Sequence, residues 1–302
     1  MARRHLRGIT DSNGRVQEAH SILSEDDYFG DDTPPVANMQ FMDSSHFTCD
    51  SPHAGVSPSC RRIYGRFYAA GNGLSNRPTV ILLHGWNGEM CYRLLFPYLA
   101  RRFRNAGINT LMFELPCHGE RRAGSGIGSD FLSADLAAVA ESGRQAIADT
   151  RALLGWLRQE GSGPLGIWGI SLGAWIAGLV ACHDQQLSAA VLMAPLCRID
   201  RAIEELDFCA PLRHSLKDSD LAFTRVNLAW HRPLPEPARI FLAAGLHDQF
   251  IPLRHIDELA AAWGHPCLQR FRHGHISMLF CRQAMLRSQT FLRDSLYHRL
   301  RY

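Results

Sequence analysis

The chain has 302 residues, of which 46% are hydrophobic and 20% charged, with a formal net charge of +3. This suits one large soluble core. The charge is too small to suggest a nucleic-acid-binding surface, and Lys217 is the only lysine among mostly arginine basic residues. No uninterrupted apolar run approaches the ~20 residues that cross a bilayer, so no transmembrane segment is expected. The opening Met1-Ala-Arg-Arg-His-Leu-Arg7 is basic like the start of a secretory signal. Asp11, Asn13, Arg15 and Glu18 follow where an apolar stretch would stand, so no signal peptide is expected. The nine cysteines are odd in number and irregular in spacing, and they form no CxxC pair or Cys/His cluster of zinc spacing. Reduced, mostly buried thiols, a cytoplasmic location and no metal site are the expectation.

In chain order, residues 1–60 are poor in apolar periodicity and rich in Asp, Ser and Pro, as in Ser24–Pro35. They read as a poorly structured, loosely docked arm, leaving 61–302 as the folded domain. Arg62–Tyr68 alternates polar and bulky residues, the pattern of an antiparallel strand. From Thr79 onward, short continuous apolar runs alternate with helical stretches. Val80–Leu83 is a predicted strand buried on both faces, and Asn109–Phe113, Leu165–Trp168, Ala189–Met193, Ile240–Ala243 and Cys267–Phe271 are the further predicted strands. Helices are predicted over about 90–105, 130–159 and 173–182, with another closing the chain. Strands and helices in this alternation imply an α/β fold, a mainly parallel sheet covered on both faces. Its chemistry is then expected at the carboxyl ends of the strands. The rhythm breaks at about 196–237, where roughly forty residues separate two strands. The segment is expected to hold short helices near 199–208 and 221–230, and to cap the active-site mouth.

The residues able to do chemistry sit at strand ends. Gly169-Ile-Ser171-Leu-Gly173 lies between a strand and a small-residue helix, a turn that exposes a strained serine above the sheet. Flanking glycines are required where any Cβ would meet neighbouring backbone, and the helix N-terminus favours nearby negative charge. A serine needs a base, and the base needs an acid to orient it. Asp248, in Gly245-Leu-His-Asp-Gln-Phe-Ile-Pro252 after a strand, is the preferred acid, with Asp207 in the insertion as the alternative. Arg272-His-Gly-His275 follows the last strand. Gly274 permits the tight turn that favours His275 over His273 as base. Backbone N–H donors for an oxyanion are expected from Leu172, just after the serine, and from Trp86 in His84-Gly-Trp-Asn-Gly88.

H-G-W, G-I-S-L-G, G-L-H-D-Q-F-I-P and G-H together resemble the α/β-hydrolase superfamily over about residues 62–295. The elbow around Ser171 is similar to those of esterase-like and dienelactone-hydrolase-like branches. The resemblance implies the α/β-hydrolase fold, with nucleophile Ser171, acid Asp248, base His275, donors Trp86 and Leu172, and hydrolysis without metal or cofactor. Serine at the elbow, rather than aspartate or cysteine, points to acyl chemistry. The expected function is hydrolysis of a small-molecule carboxylic ester. Amide or thioester hydrolysis, acyl transfer, and ligand binding without catalysis are the alternatives.

Overall fold

The computed structural model describes residues 12–53, 55, 57–71, 74, 76–123, 131–133, 135–216 and 223–298. A helix α1 (Ser12–Ser24) precedes strands β1 (Gln40–Phe41), β2 (His46–Asp50) and β3 (Arg62–Tyr68). Then come β4 (Thr79–Leu83), α2 (Phe96–Asn105), β5 (Asn109–Phe113), α3 (Leu136–Gln159), β6 (Leu165–Ile170) and α4 (Leu172–His183). The chain continues through β7 (Leu187–Met193), the short helices α5 (Ile199–Glu205) and α6 (Ala210–Leu216), and β8 (Ile240–Gly245). It ends with α7 (Leu253–Ala262), β9 (Cys267–Phe271) and α8 (Arg282–Leu296).

The strands form one sheet in the order β1-β2-β3-β5-β4-β6-β7-β8-β9. From β5 to β9 the neighbours are parallel, while β1, β2, β3 and β5 pair antiparallel. Each central strand is apolar on both sides because each face is covered. In β4, Ile81 and Leu83 enter the core cluster shared with α3, α4 and α7, while Val80 and Leu82 enter the cluster shared with α2 and α8. β4 pairs with β5 on one side and β6 on the other, so successive crossovers leave it in opposite directions. That makes the carboxyl ends of β4 and β6 the switch point where a crevice opens.

Residues 12–60 depart from the arm expected of them. Val16 and Ala19 of α1 pack with Leu136 and Ala137 of α3, and Arg15 Nε donates to Asp135 Oδ1 at 3.0 Å. Tyr28 is fully buried, with its hydroxyl on Ala140 O at 3.0 Å, and Phe29 stacks on His183 at 3.8 Å between ring centroids. β1 and β2 extend the sheet beyond β3. Isolated apolar residues spaced through polar sequence make these contacts, so no periodicity announces them. Residues 1–11 of the proposed arm lie outside the described residues.

The insertion between β7 and β8 also differs in detail. A helix over 221–230 is expected, but 223–230 holds only the short 3₁₀ turns Phe223–Arg225 and Leu228–Trp230, and the unforeseen α6 precedes them. Leu212, Ile203 and Cys209 share a cluster with α1 and α3, so the N-terminal helix anchors the insertion to the body. Among the described residues, no helix is long and apolar enough to cross a membrane.

Candidate active site

Ser171 stands between β6 and α4 with φ +54° and ψ −116°. Such a conformation is rare for a residue with a side chain, and the surroundings hold it there. Its N–H donates to Met193 O at 2.9 Å and its carbonyl accepts from Trp175 N–H at 3.0 Å. A Cβ at Gly169 would lie 2.2 Å from Gly173 O, and one at Gly173 would lie 2.2 Å from Leu83 O. Both clashes are with backbone, which cannot step aside. Gly173→Ala is therefore expected to cost at least the ~1–3 kcal/mol of core overpacking. It should also displace the serine, which chemical denaturation and covalent labelling would read together. A variant of native stability that labels normally would contradict this.

Ser171 Oγ lies 2.8 Å from His275 Nε2, and His275 Nδ1 lies 2.8 Å from Asp248 Oδ2. An ionised carboxylate only accepts, so Nδ1 carries the proton and Nε2 is left to accept from the serine hydroxyl. The Asp248 carboxylate is itself fixed, because Oδ1 accepts from Phe250 N–H at 2.9 Å and Ile251 N–H at 2.8 Å. Its side chain is fully buried, while that of His275 is 13% exposed. Substrate can thus reach the imidazole but water cannot reach the acid. Of the alternatives considered, His273 contributes its backbone carbonyl to His247 N–H at 3.0 Å, and Asp207 opens a 3₁₀ turn in the insertion. The structure brings Ser171, His275 and Asp248 together and leaves those two outside the chain of contacts.

The loop after β4 reaches the serine. A Cβ at Gly85 would come within 3.3 Å of Ser171 Cβ, a crowded approach that glycine avoids. Trp86 follows it, half-buried. Leu172 opens α4, so its N–H belongs to the helix's first turn, whose donors the helical ladder does not use.

Two histidines outside the expected site hold this loop in place. Leu115 N–H donates to His84 Nε2 at 3.1 Å, which leaves His84 Nδ1–H to donate to Gly85 O at 2.8 Å. Asn87 N–H donates to His118 Nε2 at 3.3 Å, and His118 Nδ1–H donates to Pro116 O at 2.8 Å. Both rings therefore act as neutral bridges between the segments 84–88 and 114–118. The second segment is in turn held by the fully buried Arg121, paired with Asp149 at 2.7 Å and donating to Cys60 O at 2.7 Å. A histidine that bridges two loops carries no local pattern, so nothing in the sequence singles out His118. Burial pushes His84 down to about 4 and His118 well below its ordinary value. Each takes up its proton more readily when unfolded, so their contribution is complete above about pH 6.5 and is lost as pH falls below it, toward about 4 for His84. Stability is expected to fall over the His84 window at up to about 1.4 kcal/mol per pH unit from that histidine, with His118 adding a loss of the same sign. A melting temperature that stays flat across it would contradict this.

Two cavities, of about 250 and 450 Å³, lie beyond this loop on the side of β3 and β5. Both are lined by Tyr92, Arg93, Glu114 and Glu120, and Ser171 and His275 line neither. Among the described residues, no group of three or more His, Cys, Asp or Glu side chains is placed to hold a metal ion. All nine cysteines are unbridged, and eight are buried.

A serine in a strained strand-to-helix turn, a buried aspartate–histidine pair after two further strands and a glycine-bearing loop beside the serine are the arrangement of the α/β hydrolases. The model of the alpha/beta hydrolase family matches residues 80–295, and the chain belongs to that family. An uncharacterized protein of Mycobacterium tuberculosis, found in two strains, is 31% identical over 206 residues, 66% of this chain and 50% of the relative. The chain thus spans about half the length of the curated relatives it matches. Among solved structures, an acetyl xylan esterase from Paenibacillus sp. R4 superposes with a TM-score of 0.61 at 16% identity, over 96% of this chain and 98% of that one. A Pyrococcus furiosus esterase gives 0.55 at 20% identity, over 78% of this chain and 88% of that one. A lidless serine hydrolase from Xanthomonas campestris gives 0.55 at 19%, over 88% and 99%. Likeness at such identities bears on the fold.

Proposed function

We propose that the protein hydrolyses a small-molecule carboxylic ester through an acyl-Ser171 intermediate. The observation that carries this reading is the unbroken chain Ser171 Oγ–His275–Asp248, with both contacts at 2.8 Å and the serine in a strained turn. His275 Nε2 takes the serine proton as Oγ attacks the carbonyl carbon, and Asp248 stabilises the imidazolium that forms. The N–H groups of Trp86 and Leu172 stabilise the oxyanion. Collapse of the tetrahedral intermediate expels the alkoxide, which receives the proton from His275. Water then attacks the acyl-enzyme with His275 again as base. Every proton in this scheme is moved by side chains, so it requires no cofactor. The esterase neighbours agree with an ester as substrate, and the unbridged buried thiols agree with a reducing, cytoplasmic setting.

The test is reaction of the purified protein with a fluorophosphonate probe, followed by a panel of chromogenic esters of rising acyl length. Covalent labelling at Ser171 with ester turnover is expected. A folded protein that does not label would favour a binding protein on a hydrolase fold, and labelling with turnover only of amides or thioesters would favour the other acyl chemistries.

The insertion leaves β7 at Ala194, immediately after the residue whose carbonyl holds Ser171 N–H. That position supports a role in substrate choice, although Leu212 and Phe223 pack the insertion onto the body. Trp230 is half-exposed beneath the Arg198 guanidinium and is the better probe. Trp230→Ala is expected to change the ratio of kcat/KM for a long over a short acyl ester by about 5–150-fold, the ~1–3 kcal/mol scale of small changes in apolar fit. An unchanged ratio would remove the insertion from substrate selection.

A further inference from the structure

The segments that follow the Trp86 and His275 loops lead into two helices that lie side by side. Gln289 of α8 donates to Leu99 O of α2 and accepts from Arg102 Nε. Eight residues further on, just past the end of α8, Tyr297 OH donates to Ala106 O or Gly107 O just beyond the end of α2, each at 3.1 Å. The helices therefore run parallel, which brings residues 90–95 alongside 276–281. Cys91, Tyr92, Met278 and Cys281 accordingly share one core cluster.

On the outside of these segments stand large apolar side chains facing water. Leu94 is 68% exposed, Phe280 67% and Ile276 59%, with Met90 and Tyr98 nearly half exposed. Met90, Leu94 and Tyr98 are spaced by four, as are Ile276 and Phe280, so each set lies along one side of its turn. Singly exposed apolar residues are ordinary. Here five occur on two adjoining segments at the end of the molecule that carries Ser171.

Charge on the same two segments is one-sided. Residues 89–105 and 276–296 hold seven arginines against two acids, Glu89 and Asp294, which pair with Arg122 and Arg293, although the whole chain nets only +3. Arg93 lies between Met90 and Leu94, Arg282 follows Phe280, and both are exposed, as are Arg101, Arg104 and Arg287. Exposed apolar groups flanked by an excess of exposed arginines are the composition that binds at an anionic lipid surface. A second copy is a poor occupant, because a symmetric interface would set this arginine-rich face against itself.

We infer that this face docks on an anionic lipid surface, with Met90, Leu94, Ile276 and Phe280 entering the acyl boundary and Arg93 and Arg282 at the headgroups. Docked in this way, the crevice above β4 and β6 opens toward the lipid, which would present acyl esters of amphiphilic molecules to Ser171. That consequence rests on the esterase reading, whereas the docking itself does not.

The test is co-sedimentation of the full chain with vesicles of phosphatidylcholine alone and of phosphatidylcholine mixed with phosphatidylglycerol. Binding to the mixed vesicles only is expected, and it should be lost near ~1 M salt. The double variant Leu94→Ser/Phe280→Ser and the charge variant Arg93→Glu/Arg282→Glu should each weaken it by about tenfold or more. Both variants should hydrolyse a short water-soluble ester at the wild-type rate. Wild-type protein left in the supernatant, or variants that sediment like wild type, would overturn the inference. So would a dimer, seen by sedimentation velocity, that the Leu94→Ser/Phe280→Ser variant dissociates. Vesicle binding without turnover of the soluble ester would leave the docking intact and sink the esterase reading instead.

Discussion

Replacing Ser171 by alanine is expected to lower kcat by on the order of 10⁶ while leaving the fold intact. Only the Oγ atom is removed, and its side-chain contact is the 2.8 Å bond to His275 Nε2. The strained turn is set by Gly169, Gly173 and the backbone bonds of residue 171, none of which involve that oxygen. Thermal melting should therefore change little or rise slightly, since residue 171 keeps its positive φ. Labelling by a fluorophosphonate should vanish. A well-folded Ser171→Ala protein with most of its ester hydrolysis would place the nucleophile elsewhere and remove the basis of the mechanism.

The next largest effects separate the acid and the base from their neighbours in sequence. Asp248→Asn keeps the shape of the side chain, but its amide can present an N–H to the imidazole. His275 would then hold its proton on Nε2, facing Ser171 Oγ, where it cannot accept the serine proton. A loss in kcat of roughly 10⁴ is expected, as in triads where the acid is neutralised. His275→Ala should approach the loss seen on removing the serine. His273→Ala keeps the carbonyl that binds His247 N–H, so it should cost far less. Asp207→Asn should be nearly silent. Single-turnover rates for the four variants decide the matter, and a larger loss from Asp207→Asn than from Asp248→Asn would move the acid into the insertion.

The parts legible in the sequence are those specified locally. Continuous runs such as Val80–Leu83 and Asn109–Phe113 can only be strands covered on both faces, and they are. Arg62–Tyr68 alternates because its strand is half covered, and its residues alternate in burial accordingly. The elbow was readable for the same reason, since a positive φ and two backbone approaches near 2.2 Å leave a pattern of glycines in the sequence itself. Ser171, Asp248 and His275 each follow a strand, which is where such a sheet opens its crevice.

What the tertiary structure alone decided is carried by contacts between distant residues. That His275 rather than His273 meets Ser171 depends on a turn that aims one ring and not the other across 104 residues. His84 and His118 became positioning residues only when β4 and β5, parallel neighbours in the sheet, brought their following loops together. Tyr28 and Phe29 are buried by α3 and α4, more than a hundred residues away, so no local pattern in the polar N-terminal stretch could foretell their docking. The apolar and basic face beside the site arises in the same way. Each half of it is an ordinary helix in sequence, and the parallel packing of α2 on α8 makes one surface of the two. Local backbone preference and burial pattern act within a few residues and are written in the chain. The partner of a side chain is chosen by the closure of the whole sheet, and a single sequence does not contain that geometry.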